Sequence, residues 1–254
     1  MKHCLLSLLC LVIYAASISS ARAQEQEKEK ESFAQPIQEF PFMEAVYLQE
    51  QHEIQSTLSF YHTDEDASIS NALGYEAEYG FTDWLQVSAE LTHNHWHSKP
   101  MNYNVYQLEA GTMVGLLSSP RQALSFEMEV EFPLNKPESA GEEAEGTEVS
   151  YTPVLLYARQ LGDIQVHLNA GAEIQAHEHG WFYNAAAVYG TGNWHPLLEV
   201  NGTYEEKANW YLAPGLALNN DSGWEFVAGI RRSLPESDWG FAVKVLFEFT
   251  AGKH

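Results

Sequence analysis

From about residue 53 onward the chain alternates apolar and polar residues with a period of two, and this pattern continues almost to the end. Leu85, Val87, Ala89 and Leu91 alternate with Gln86, Ser88, Glu90 and Thr92. Leu124, Phe126, Met128, Val130 and Phe132 alternate with Ser125, Glu127, Glu129 and Glu131. Ile164, Val166, Leu168, Ala170, Ala172 and Ile174 alternate with Gln165, His167, Asn169, Gly171 and Glu173. Side chains on a strand point to opposite faces in turn, so each segment is a strand with one greasy and one wet face.

Twelve such segments are predicted, at about 53–61, 69–80, 84–94, 103–117, 123–134, 148–159, 164–175, 181–190, 194–204, 210–219, 224–232 and 239–249. Several exceed the ~5–6 residues usual in soluble sheets and match the ~9–11 tilted residues that cross a bilayer. Tight connections such as Leu161-Gly162-Asp163 and Thr191-Gly192-Asn193 alternate with longer ones at 62–68, 95–102, 135–147, 176–180, 205–209 and 233–238. Short turns at one end and long loops at the other are the habit of outer-membrane barrels, and an even strand number puts both chain ends on the short-turn, periplasmic side. The seven tryptophans fall at or beside segment ends. Trp84, Trp194 and Trp224 lie on the short-turn side, and Trp96, Trp181, Trp210 and Trp239 on the long-loop side, as two interfacial belts require.

Lipid supplies no hydrogen-bond partner, so a sheet in a membrane must close and leave no edge. The expected fold is therefore all-β: a closed antiparallel up-and-down transmembrane β-barrel of about 12 strands. The alternative for the same faces is a soluble secreted β-sandwich that packs its greasy sides together and serves as a binding protein.

Residues 1–23 read as a Sec signal peptide: a basic start at Lys2, an apolar run over 5–18, and Ala21-Arg22-Ala23 as the cleavage pattern. Its removal takes both cysteines, Cys4 and Cys10, and with them any disulfide or thiolate site. The expected division is then a periplasmic N-terminal tail and lead-in at 24–52, the barrel at 53–249, and a C-terminal extension at 250–254. With 13 Lys+Arg against 35 Asp+Glu, the formal charge of −22 excludes a nucleic-acid partner.

Several stretches resemble Gram-negative outer-membrane barrels of the phenol-degradation meta-pathway (MetA) family: the run Glu76 to Glu90 (EAEYGFTDWLQVSAE), Ser150 to Tyr157 (SYTPVLLY), Pro196 to Gly202 and Leu212 to Leu216. The similarity spans residues 44–249. It implies a small barrel with an uptake or pore role and transfers no catalytic residue. Barrels of this kind usually end on an aromatic residue read by the outer-membrane assembly machinery; here Phe247 and Phe249 precede Thr250-Ala251-Gly252-Lys253-His254.

The polar faces supply the candidate lumen and selectivity residues: Glu76, Glu78, Glu90, Glu109, Glu127, Glu129, Glu131, Glu173, Glu199, Arg231 and Lys244. Carboxylates lining a water-filled interior raise the local cation concentration and repel anions. Glu127, Glu129 and Glu131 share one strand face at ~7 Å steps and form the selective stretch of this reading. Polar fill of a closed interior accounts for the same residues without selectivity. His93, His95 and His97, and likewise His177 and His179, recur at i, i+2 toward the long loops, where imidazoles could hold zinc or copper. A polar aromatic surface beside lipopolysaccharide explains them equally. A lipase-type site would need a serine near His167, and none stands at a partner spacing. No enzyme activity and no cofactor are expected. The function expected is a passive pore or transporter for small solutes, in contact with outer-membrane lipid, lipopolysaccharide and the assembly machinery; the alternative is a structural or interaction barrel with an occluded lumen.

Overall fold

The computed structural model describes residues 36–65, 68–98, 101–137, 148–176, 179–190, 192–204, 208–220, 222–234 and 238–250. The expected signal peptide, the tail at 24–35, most of the acidic loop 135–147, His177 and residues 251–254 lie outside them. Twelve strands follow one another in the chain: β1 Glu53–Glu65, β2 Ser68–Thr82, β3 Leu85–Ser98, β4 Met101–Ser119, β5 Gln122–Pro133, β6 Ser150–Leu161, β7 Ile164–Ile174, β8 His179–Tyr189, β9 Trp194–Tyr204, β10 Ala208–Asn219, β11 Trp224–Ser233 and β12 Trp239–Thr250. Each pairs antiparallel with its neighbours, and β1 pairs with β12, which closes the barrel. The two-sheet sandwich is thereby excluded. No edge is left whose N–H and C=O groups would meet lipid.

The greasy sides face outward. Leu58, Leu73, Leu91, Leu155, Leu168 and Leu198 are each 45–51% exposed, a wasteful arrangement in water and the natural one in acyl chains. Trp181, Trp194, Trp210, Trp224 and Trp239 stand on this outer face near strand ends. Trp96 departs from the expected belt. It shares the inner-face parity of Gln86 and Glu90, stacks on Tyr103 with ring centroids 6.5 Å apart, and joins Tyr103 and Val105 in a small apolar cluster. β3 and β4 run past the expected segments at 84–94 and 103–117, and Trp96 lies in this extension, where facing inward covers its ring.

The tight turns use glycine where the backbone demands it. Gly162 and Gly192 have φ of 68° and 78°, and a Cβ at either would meet nothing, so conformation alone selects the residue. Pro153 and Pro214 sit within strands. The β6–β7 register skips from Tyr151 to Val154 and the β10–β11 register from Leu212 to Gly215, beside the residues that have no N–H to donate.

Residues 36–49 of the lead-in lie inside the barrel. Ile37, Phe40, Met43 and Val46 are at most 2% exposed. They pack on inward side chains of the lower wall: Val188, Leu197, Val227 and Leu246 on one side, and Met113, Val154 and Leu156 on the other. The segment rises beside β10, where Asn219 donates to the Pro36 carbonyl (2.6 Å). It crosses the lumen and descends past β5, where the Ser125 hydroxyl donates to the Val46 carbonyl (3.0 Å). A turn at Glu50–Glu53 then leads into β1. His52 takes a φ of 68° there and its N–H donates to the Gly80 carbonyl (2.8 Å). A Cβ at Gly80 would strike the Glu50 carbonyl, and the ladder bulges between Gly80 and Thr82 at the same place. The wall is thus shaped to receive the segment.

Candidate functional site

Alternation along each strand carries the candidate lumen residues to the inner face. Glu76 and Glu78 share the parity of buried Gly74, Glu90 that of Gln86, Glu109 that of Gln107, and Glu127, Glu129 and Glu131 that of Ser125. Glu173 follows His167 and Asn169, Glu199 follows His195, Arg231 follows Val227, and Lys244 follows Ala242.

Register decides what these residues make together. Glu76 stands opposite Glu90, Glu90 opposite Glu109, and Glu109 opposite Glu131. Four carboxylates therefore form one row across β2, β3, β4 and β5. Glu78, Glu127 and Glu129 fill the same wall around it. Gln107 donates to Glu131 (2.6 Å), Gln55 to Glu78 (2.6 Å), and Gln86 also to Glu78. The glutamines supply donors without charge, so the wall stays acidic.

The cations are on the other side. Lys244 of β12 pairs with Glu39 of the internal segment at 2.6 Å, and both side chains are nearly buried (7% and 6% exposed). Arg231 of β11 donates to Thr63 (3.1 Å), lies 3.9 Å from Glu65, and stacks its guanidinium against Phe42 and Tyr211. The inward cations thus stand on β11 and β12, beside Glu225 and Glu248, and none stands on the inner faces of β2–β5 among the described residues.

Two more carboxylates hold the internal segment. Glu225 accepts the backbone N–H of Gln38 (3.0 Å) and of Glu39 (3.1 Å). Glu199 accepts that of Phe42 (3.3 Å) and is braced by Asn201 (3.3 Å). Glu44 lies in the segment itself. Burial pushes its carboxyl up to about 7; Lys244 opposes this, and Glu39 and Glu90 add to it. A carboxyl that keeps its proton more firmly when docked favours the docked state at acid pH and loses that advantage as pH rises from about 4.5 through about 7. The docked segment is therefore expected to release more readily at pH 8 than at pH 5, by up to roughly a hundredfold in the docked ratio. Single-channel open probability in wild type and Glu44→Gln checks this, the variant showing a weaker dependence.

The sequence reading missed the apolar half of the lumen. Val154, Leu156 and Ala158 share an inner face with Ser150, and Leu246 shares one with Lys244. The missed signal is the density of apolar residues in Ile37 to Leu48 (IQEFPFMEAVYL), too high for a solvated lead-in. His167 is fully buried and meets Phe40 edge-on at 4.7 Å, a packing role.

The histidines lie on the opposite, outer face. His93 Nε2 and His95 Nδ1 each approach Asn104 Oδ1 at 3.0 Å, and His93 stacks on Tyr106 at 4.7 Å. His97 and His179 share the outward parity. Among the described residues no group of three or more His, Cys, Asp or Glu converges as a metal site.

No known family model matches the chain, and no curated protein matches it. Solved structures do. An outer membrane channel from Pseudomonas putida F1 superposes with a TM-score of 0.69 at 10% identity, over 80% of this chain and 98% of its own. The chain has the fold of outer-membrane barrels. The KdgM porin (TM-score 0.57, 12% identity) matches over 76% of this chain and 99% of its own, and the NanC porin (0.54, 8%) over 76% and 98%.

Proposed function

We propose that this protein is a passive outer-membrane channel for small solutes with a cation-preferring lumen. The observation that carries the reading is the acidic wall of β2–β5, whose inner faces bear no Lys or Arg among the described residues. Fixed like charges along a narrow aqueous path concentrate counter-ions and exclude co-ions. The likeness of residues 76–90 and 150–157 to the MetA barrel family, and the fold shared with channels and porins, support an uptake role. Lipopolysaccharide around the outer rim and assembly by the outer-membrane machinery belong to the same reading.

A planar bilayer under a KCl gradient tests it. The reversal potential should lie toward that of potassium, and the triple change E127Q/E129Q/E131Q should move it toward zero. A potential already at zero, or one unmoved by the triple change, would overturn the assignment of selectivity to this wall.

One observation favours a second reading, a structural or interaction barrel with an occluded lumen: the internal segment touches both flanks of the interior. Under that reading the full-length protein conducts nothing at any pH.

A further inference from the structure

The internal segment is held by its main chain. Glu225 of β11 accepts the N–H groups of Gln38 and Glu39 (3.0 and 3.1 Å), Glu199 of β9 that of Phe42 (3.3 Å), and Gln86 of β3 that of Gln49 (2.7 Å). On the carbonyl side, Asn219 of β10 donates to Pro36 (2.6 Å), Asn169 of β7 to Glu44 (2.8 Å) and Ser125 of β5 to Val46 (3.0 Å). Six strands thus send polar side chains to four N–H and three C=O groups. The ion pair of Lys244 with Glu39 is a side-chain contact particular to this occupant. Main-chain N–H and C=O groups recur in every peptide, so the wall reads polypeptide rather than this one sequence.

Two observations besides these bonds mark a receptor. Gly215 and Gly229 stand opposite each other on β10 and β11, and a Cβ at Gly229 would come within 2.8 Å of the Pro41 ring. The wall is hollowed there to let another backbone come close. Asn169, Asn184 and Asn201 stand opposite one another across β7, β8 and β9. A carboxamide carries both the donor and the acceptor of a peptide group. Asn169 and Asn201 are 4% and 8% exposed, and the Oδ1 of each has no hydrogen-bond partner. A buried acceptor without a donor is costly, and the docked segment leaves both unmet.

We propose that the solute class of this channel is short peptides, bound on the path that residues 36–49 now occupy, with the segment as their tethered stand-in. The inference rests on the channel reading and adds the solute. Side-chain identity matters little on this path. N–H groups at the positions of Gln38, Glu39 and Phe42 matter, and a proline at that of Pro41 is accepted.

Cysteine labelling of the full-length protein tests it, with heat-modifiable gel mobility confirming the folded barrel. Both native cysteines lie in the expected signal peptide, so M43C gives the processed chain one thiol. Met43 is 2% exposed while the segment is docked. The probe is acetyl-Ala-Ala-Ala-Pro-Ala-amide, which keeps the main-chain pattern of residues 38–42 with the other side chains cut to methyl. A competitor for the site raises the undocked fraction by one plus the ratio of its concentration to its Kd. About 10 mM of a probe with a millimolar Kd should therefore speed maleimide labelling about tenfold. The same peptide N-methylated at its first, second and fifth residues should leave the rate unchanged, as should raffinose, a polyol of similar size. No acceleration by the probe, or equal acceleration by the methylated peptide or by raffinose, would overturn the peptide assignment. The KCl reversal potential of the wild type separates the two ideas. Cation preference with no peptide effect sinks this inference alone, whereas peptide-dependent labelling in a barrel that conducts nothing sinks the channel reading and leaves the peptide site in place.

Discussion

Removing residues 24–48 behind the expected signal peptide should raise single-channel conductance several-fold while the barrel still assembles. The ladder that closes the barrel runs from β1 to β12 and includes no residue before Glu53. The internal segment therefore fills the lumen without holding the wall together. Twelve strands enclose more space than side chains alone can fill, and here Ile37, Phe40, Met43 and Val46 occupy the lower part of it. Their removal exposes Val154, Leu156, Leu197 and Leu246 to lumen water, which weakens the folded protein without breaking a strand pair. Planar-bilayer conductance measures the opening, and heat-modifiable mobility reports assembly. Unchanged conductance with a folded barrel would show that the segment is not the constriction.

The second large effect is expected from Lys244→Met. Glu39 would then keep its carboxylate in a nearly dry site, with Gln55 (3.4 Å) as its remaining side-chain donor among the described residues. Removing one partner of a buried ion pair costs about 3–5 kcal/mol, because the remaining charge is uncompensated. The cost falls on the docked segment, since the barrel ladder does not involve Glu39. Cysteine labelling reads this directly: both native cysteines fall in the expected signal peptide, so M43C supplies a single thiol in the processed chain. Met43 is 2% exposed, and its cysteine variant should react slowly with a maleimide. In the Lys244→Met background the reaction should speed up about a hundredfold or more. Adding Glu39→Gln should restore most of the protection, because a neutral amide tolerates the site. If labelling were equally slow with and without Lys244, the ion pair would not be what holds the segment.

These two experiments bear on why the internal segment escapes a reading of the sequence. Its residues show no regular period, and its contacts reach from Pro36 to Asn219 and from Val46 to Ser125. Nothing local announces such partners. The partners on the wall are equally silent. Leu156 and Leu246 lie on inner faces that alternation marks as wet, and they are tolerated there only because Ile37, Phe40 and Val46 cover them. Trp96 escapes for a related reason: its place near a strand end suggested the lipid boundary, but its parity and its stack on Tyr103 turn it inward.

The carboxylates show both sides of the matter. That Glu127, Glu129 and Glu131 share one face follows from strand geometry alone. That Glu76, Glu90, Glu109 and Glu131 form a row does not, because it depends on the relative sliding of four strands. Sliding any one of them would break the row and leave each strand's own pattern untouched.

The sequence by itself determined twelve strands, their two faces and the positions of the turns, because each of these is a property of residues one or two apart. Only the tertiary structure decided which strand closes on which, which carboxylates stand side by side, and what fills the lower lumen. Those depend on register and on contacts across the barrel, where residues far apart in the chain meet.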